Sequence, residues 1–285
     1  MEGIICVNKP KGVTSFDIIR KLRKVLNEKK IGHTGTLDPL ATGVIIICLG
    51  RATKLVSDIE ACEKEYKAKF ELGYKTDTYD IEGKTIDKIE NFDISRESLE
   101  QVLEKFKGKI LQVPPMYSAI KMQGKKLYEL ARLGITVERV PRPVEIKKID
   151  VLSFDGKKGE IDCVVSKGTY IRSLIFDTGE VLGTFATMSG LIRTRVGKTT
   201  LESCYSLEEI ENMASEENFE FLNSVEQFFK YPRIDLKREE TITYFENGNS
   251  FSYEFEDGTF SVYNKNEFIG LGIIKEKRLK PYKFF

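Results

Sequence analysis

No stretch of this chain approaches the ~20 consecutive apolar residues that a membrane-spanning helix requires. Its first residues, Met1-Glu2-Gly3-Ile4-Ile5-Cys6, lack the basic start and long apolar core of a secretory leader. Cysteine is sparse: five residues, at 6, 48, 62, 163 and 204, form no C-x-x-C pair. An odd, scattered set argues against a disulfide framework and points to free thiols in a reducing, cytoplasmic setting. Histidine occurs once, as His33. One imidazole and no paired cysteines leave no ligand set for a zinc site. Internal repeats and low-complexity tracts are also missing.

A strong net charge is lacking as well, since the total is +1. The total hides an asymmetry. Residues 101–150 hold 11 Lys/Arg against 5 Asp/Glu, and residues 201–285 hold 10 against 17. A basic central segment on a near-neutral chain is the footprint expected of local phosphate contact, although a solvated lysine-rich face has the same composition. The length of 285 residues fits one large domain plus a small one, and 18 Phe and 12 Tyr can build their cores.

The hydrophobic pattern predicts a mixed α/β chain. Gly3 to Asn8 reads as a strand, and Ser15 is expected to cap a helix carrying Ile18, Leu22, Val25 and Leu26 on one face. Residues 65–72 alternate, with Tyr66, Ala68, Phe70 and Leu72 on one side, as in a half-buried antiparallel strand. Ser95 opens a second helix, striped by Leu99, Val102, Leu103 and Phe106 and ended by Gly108. Residues 111–143 are proline-marked and basic around a short helix from Lys126 to Leu133. Strands follow near 144–154 and 160–166, then a helix from Tyr170 to Leu182 that stops at Gly183. Ser206-Leu207-Glu208-Glu209 is a capping-box pattern for one more helix. A boundary is expected near Lys230-Tyr231-Pro232. Beyond it, Glu246-Asn247-Gly248, Glu256-Asp257-Gly258 and Asn264-Lys265-Asn266 predict hairpin turns between short strands.

The most informative segment is Gly32-His33-Thr34-Gly35-Thr36-Leu37-Asp38-Pro39-Leu40-Ala41-Thr42-Gly43. Three glycines permit positive φ and close backbone approach, and Pro39 keeps Asp38 out of the α region. The run Val44-Ile45-Ile46-Ile47-Cys48-Leu49 that follows has the character of a strand buried on both faces. The loop does not end in Gly-Lys-Ser/Thr, so it is not a phosphate loop. By residue type alone, Asp38 is a turn cap, a metal ligand or a nucleophile.

The whole string closely resembles the signature of the TruB family of bacterial tRNA pseudouridine-55 synthases. Further blocks resemble that family in the same order: Asn8-Lys9-Pro10-Lys11-Gly12-Val13-Thr14-Ser15, Lys64-Glu65-Tyr66-Lys67, Thr76-Asp77-Thr78-Tyr79-Asp80-Ile81-Glu82-Gly83, Val113-Pro114-Pro115-Met116-Tyr117-Ser118-Ala119 and Ser166-Lys167-Gly168-Thr169-Tyr170-Ile171-Arg172. The resemblance implies a pseudouridine synthase fold: a bent, mainly antiparallel sheet flanked by helices over residues 1–230, with a basic RNA-binding insertion at about 111–143. Residues 231–285 resemble a short PUA-like RNA-binding β domain, weakly. The activity implied is conversion of uridine 55 in the TΨC loop of tRNA to pseudouridine, with base flipping and neither cofactor nor metal. A monomer with no obligate protein partner is expected, binding the T-arm of tRNA.

The resemblance also implies roles. Asp38 is the catalytic carboxylate, Arg172 its cationic partner, and Tyr66 a catalytic residue whose ring faces the flipped base. Tyr170, Leu191 and His33 line or contact the base site, Tyr170 being a candidate for proton removal, and Asp80 holds an RNA-facing residue. Lys121, Lys125, Lys126, Arg132, Arg139 and Arg142 meet phosphates. Each has a plainer reading by residue type: core packing for Tyr66 and Leu191, turn-making for His33 and Asp80, a helix-surface arginine for Arg172. Two other functions compete: a guide-RNA-dependent enzyme acting on ribosomal RNA, and an RNA chaperone that has lost catalysis.

Overall fold

The frame is set by seven strands: Gly3–Lys9 (β1), Thr42–Leu49 (β2), Lys64–Leu72 (β3), Gly108–Gln112 (β4), Arg142–Phe154 (β5), Lys158–Val165 (β6) and Ala186–Val196 (β7). They are seen in a computed structural model that describes residues 1–122 and 124–284. Across the sheet the order is β1-β2-β7-β3-β6-β5-β4, and the pairs are antiparallel except β2 with β7. Register shifts in β5 and β7 break the ladders and bend the sheet. The mixed α/β, mainly antiparallel architecture expected from the sequence is the one observed.

The two clearest sequence patterns sit at its centre. In β3, Tyr66, Ala68, Phe70 and Leu72 are buried while Lys67 and Lys69 are exposed. In β2, every side chain from Val44 to Leu49 is buried, because the sheet is covered on both faces. One face packs on helix Ser15–Val25 (α1), helix Arg96–Glu104 (α2) and helix Ile171–Leu182 (α3) through Ile18, Leu22, Leu99, Leu174 and Ile175.

Three helix boundaries illustrate how local chemistry decides an end. Thr14, not Ser15, caps α1: its hydroxyl accepts the Asp17 amide at 3.1 Å and the Asp17 carboxylate accepts the Thr14 amide at 2.9 Å. That frees the Ser15 hydroxyl to accept the Leu37 amide at 2.8 Å and to donate to the Leu37 carbonyl at 3.1 Å. Helix α2 starts after Ser95 as expected but ends at Glu104, ahead of Gly108. Gly108 instead takes φ 92° to launch β4. Helix α3 ends at Gly183 in the left-handed conformation, as its sequence predicts.

Beyond residue 232 a second sheet of five strands forms: Arg233–Leu236, Phe251–Ser252, Gly258–Asn264, Glu267–Lys275 and Arg278–Phe284. Asn264-Lys265-Asn266 is the predicted hairpin turn. The other two expected hairpins are not. Asn247-Gly248 terminates a helix, Glu239–Glu246, that strand-and-turn reading overlooked. Its two glutamates at the N-terminal turn suit the helix dipole, and Phe245 packs into the small sheet's core beside Ile242. Glu256-Asp257-Gly258 joins strands that do not pair, because Phe251–Ser252 pairs with Arg278–Phe284. Leu271 of the small sheet lies in one apolar cluster with Ile4, Val44 and Cys48 of the large one, so the two sheets share a packed contact.

Candidate active site

Asp38 lies on the chain between the short strand Ile31–His33 and β2, and the loop that carries it is fastened from four sides. Ser15 brackets Leu37 as described. Gly12 donates its amide to the Pro39 carbonyl at 2.8 Å, and Lys9 reaches the same oxygen at 3.4 Å. Arg193 in β7 donates to the carbonyl of Val44 at 2.6 Å and to that of Gly35 at 3.1 Å. Gly43 makes this possible: its φ is 102° and an added Cβ would stand 2.2 Å from the Arg193 carbonyl oxygen.

Arg172, the second residue of α3, meets the Asp38 carboxylate side-on. Its Nε and Nη2 each stand 2.9 Å from one carboxylate oxygen. This is the bidentate geometry in which a guanidinium fork best fixes a carboxylate. The remaining donors are also engaged: Nη1 with the Thr78 carbonyl at 2.9 Å, Nη2 with the Tyr117 carbonyl at 2.8 Å. Asp80 stands 3.7 Å from Nη1. The Arg172 side chain is 4% exposed, whereas that of Asp38 is 31% exposed. The cation is thus locked in and the carboxylate is held but reachable. Burial lifts the Asp38 carboxyl above the ordinary aspartate range, with Arg172 pulling it back.

Asp80 makes the turn that its residue type suggests and also faces Arg172. Its carboxylate accepts the Thr78 hydroxyl at 2.7 Å and the Glu82 amide at 3.0 Å, which makes the turn, and its other oxygen faces Arg172. The neighbouring Tyr79 takes φ 66°, unusual for an aromatic residue, and stacks on Phe176 with ring centroids 3.9 Å apart.

Tyr170 is the N-cap of α3, two residues before Arg172. Burial pushes its phenol above the ordinary tyrosine range. A phenol shifted this way keeps its proton at neutral pH. Tyr66 and Leu191 are each 8% exposed and belong to the same buried cluster as Leu37 and Leu40, the neighbours of Asp38. His33 is half-buried, and its Nδ1 accepts the Gly35 amide at 3.3 Å. Burial and Arg193 lower its pKa, so the ring is neutral at pH 7.

Of the basic side chains in the insertion, Lys121, Lys125, Arg132 and Arg142 are exposed. Lys121 and Lys125 flank a tight hairpin, and the helix Leu127–Arg132 follows it directly. Lys126 and Arg132 each lie 5.4 Å from the centroid of the Tyr128 ring. Arg139 is half-buried and donates to the Pro114 carbonyl at 3.2 Å, so part of its fork serves the insertion's own shape.

The sequence reading did not single out Lys9. Its ammonium is fully buried and donates to the carbonyls of Val13 at 2.7 Å and Pro10 at 2.9 Å. Burial brings its pKa down to about 8 against the attraction of Asp38. Nor did that reading single out Arg193. The only local signal was a charged residue beside an apolar run, Ile4-Ile5-Cys6-Val7 for Lys9 and Leu191-Ile192 for Arg193.

The chain has counterparts among known proteins. The family model described as TruB family pseudouridylate synthase (N terminal domain) matches residues 23–171, and the tRNA pseudouridylate synthase B C-terminal domain matches 172–229. The chain belongs to the TruB family of pseudouridylate synthases. TruB-family enzymes are isomerases. A tRNA pseudouridine synthase B of Fusobacterium nucleatum subsp. nucleatum is 54% identical over 289 residues, all of both chains. One of Clostridium tetani is 44% identical over 95% of each chain. Among solved structures, a Cbf5-Nop10-Gar1 complex contains a chain with TM-score 0.71 and 25% identity, over 99% of this chain and 84% of that one. An H/ACA RNP bound to a substrate RNA containing 2′-deoxyuridine matches with TM-score 0.71 at 24% identity, over 99% of this chain and 84% of that one, a likeness of fold. Among the described residues no helix is long and apolar enough to cross a membrane.

Proposed function

We propose that this chain converts uridine 55 in the TΨC loop of tRNA to pseudouridine, with Asp38 as the catalytic carboxylate. The observation that carries the reading is the Asp38–Arg172 pair: a bidentate grip from a buried guanidinium on a carboxylate that is still reachable. The reaction breaks the C1′–N1 bond, turns the base, forms C1′–C5 and moves a proton from C5. It is redox-neutral, so the chemistry calls for no cofactor. A carboxylate suits an anomeric carbon or an electrophilic base, as in glycosidases that form covalent intermediates.

The target uridine leaves its stack to reach Asp38, which costs a few kcal/mol. Stacking on an aromatic ring returns about 1–3 kcal/mol, and Tyr66 is the ring we assign. Tyr170, Leu191 and His33 border the base, and Asp80 steadies Arg172. Lys121, Lys125, Lys126, Arg132 and Arg142 contact phosphate. Residues 1–230 act as the catalytic unit, with residues 231–285 as a short RNA-binding unit of PUA type. A cytoplasmic monomer acting on the T-arm without a protein partner fits this reading.

The test is an unmodified tRNA transcript incubated with purified protein, with pseudouridine mapped by chemical labelling. Wild type is expected to modify position 55, and Asp38→Asn to reduce the rate on the order of 10⁴-fold or more, as removal of one member of a catalytic set does. A wild-type protein that binds tRNA but forms no product leaves only a chaperone role. Dependence on an added guide RNA selects the ribosomal-RNA reading.

A further inference from the structure

Strand β4 ends at Gln112, at the start of the basic insertion. Its carboxamide is 2% exposed and faces neither solvent nor Asp38. Instead it closes a reciprocal pair with one residue of another element. The side-chain Oε1 accepts the Tyr170 amide at 2.8 Å, and Nε2 donates to the Tyr170 carbonyl at 3.0 Å. Tyr170 is the N-cap of α3, and Arg172 is that helix's second residue.

An N-cap lies outside the helical hydrogen-bond ladder on its amide side, so its N–H needs a partner from elsewhere. No side chain caps this helix. Gln112 supplies the missing acceptor and ties the Tyr170 carbonyl as well, fixing both faces of one peptide residue. The same stretch of chain makes two further ties to α3. The Ser173 hydroxyl donates to the Val113 carbonyl at 2.9 Å, and Arg172 donates to the Tyr117 carbonyl at 2.8 Å.

We infer that Gln112 is a positioning residue: by clamping the Tyr170 peptide it sets where α3 begins, and so how Arg172 meets Asp38. The inference rests on the catalytic reading of Asp38 and Arg172. A guanidinium that misses one carboxylate oxygen by an ångström loses its bidentate hold, and positional errors of that size slow catalysis without abolishing binding. Because Gln112 lies at the root of the insertion, the clamp also ties the insertion to α3.

Gln112→Met keeps the length of the side chain and removes both hydrogen bonds. With full-length protein in excess over tRNA transcript, its single-turnover rate is expected to fall about tenfold or more, equal to about 1.4 kcal/mol in the barrier. Its tRNA dissociation constant is expected to stay within about threefold of wild type, since no phosphate-facing group is touched. Ser173→Ala removes a tie at the same root that does not hold the Tyr170 peptide, and its rate is expected to remain within about threefold. A wild-type rate in Gln112→Met overturns the inference. So does a loss shared equally by Ser173→Ala, which makes Gln112 a general anchor, or a loss confined to affinity, which makes it part of the grip. If Gln112→Met does not fold, Gln112→Glu retains the acceptor for the Tyr170 amide but loses the donor. A wild-type rate there overturns the inference equally. Absence of product from wild type is a different failure, that of the catalytic reading itself.

Discussion

At the residue scale, the proposed chemistry rests on one carboxylate and one guanidinium, and their environments differ. Arg172 is immobilised by backbone carbonyls from two separate segments, at Thr78 and Tyr117. Asp38 gets its orientation from Arg172 and its accessibility from the loop. The raised carboxyl pKa has a sign that can be checked. In the proposed role Asp38 acts ionised, so activity is expected to be lost as pH falls through its native pKa, with the acid limb of the rate profile above the ordinary aspartate range. Stability runs the other way: between the unfolded and native values the native state holds more protons, so this group's contribution weakens as pH rises through that window. Replacing Arg172 by Met removes the opposing charge and is expected to move the acid limb further up. An acid limb at the usual aspartate value in both proteins rules out Asp38 as the titrating group. Arg172→Lys keeps the charge but not the fork, and is expected to cut turnover far more than tRNA affinity. Equal losses in both count against the assignment.

At the element scale, the site depends on where elements begin and how close they come. Thr14 takes the cap of α1 and thereby releases Ser15 to hold the Asp38 loop. Strand β2 crosses β7 closely because position 43 has no side chain. Gly43→Ala must accept a positive φ and a backbone overlap at once, penalties of roughly 1–3 kcal/mol each. The expected result is a clear drop in the thermal midpoint together with loss of activity, whereas Thr14→Ala is expected to cost only about 1 kcal/mol. A Gly43→Ala protein as stable as Thr14→Ala contradicts this account of the crossing. The periodic elements were legible in the sequence: the alternation in β3, the buried run in β2, the stripes of α1 and α2. The helix Glu239–Glu246 was not, because eight residues with a weak apolar face read equally well as a strand and turn, and only the sheet beneath it selects the helix.

At the scale of the whole molecule, the charge asymmetry noted in the sequence maps onto the fold as an exposed basic hairpin and helix on the insertion, with the acidic balance in the C-terminal part. Phosphate contacts release counterions, so tRNA affinity is expected to fall linearly with the logarithm of salt concentration. Substituting both Lys121 and Lys125 by alanine is expected to lower that slope by roughly 0.7–0.9 for each contact removed, measured by filter binding over a salt series. An unchanged slope removes these two lysines from the interface. The C-terminal sheet packs on the body through Leu271, and Leu271→Ala is expected to destabilise the fold by roughly 2–5 kcal/mol, as deletion of a buried leucine does.

By itself the sequence determined the strongly periodic elements, such as the strand Lys64–Leu72 and the helix Ser15–Val25, and it marked Asp38, because a loop chemistry of glycine, proline and one acid is written in consecutive residues; it gave no sign of the central strand Ala186–Val196. It also marked Arg172, Tyr66 and Tyr170 through blocks shared with a family. It did not disclose Lys9, Arg193 or Gln112. Each of these is a polar side chain satisfied only by backbone groups, several of them far away in the chain. Such partners exist only once the sheet has closed, since a hydrogen bond between residues 112 and 170 leaves no trace in local periodicity. Tertiary structure therefore decided how the Asp38–Arg172 pair is held, while short-range chemistry marked its members.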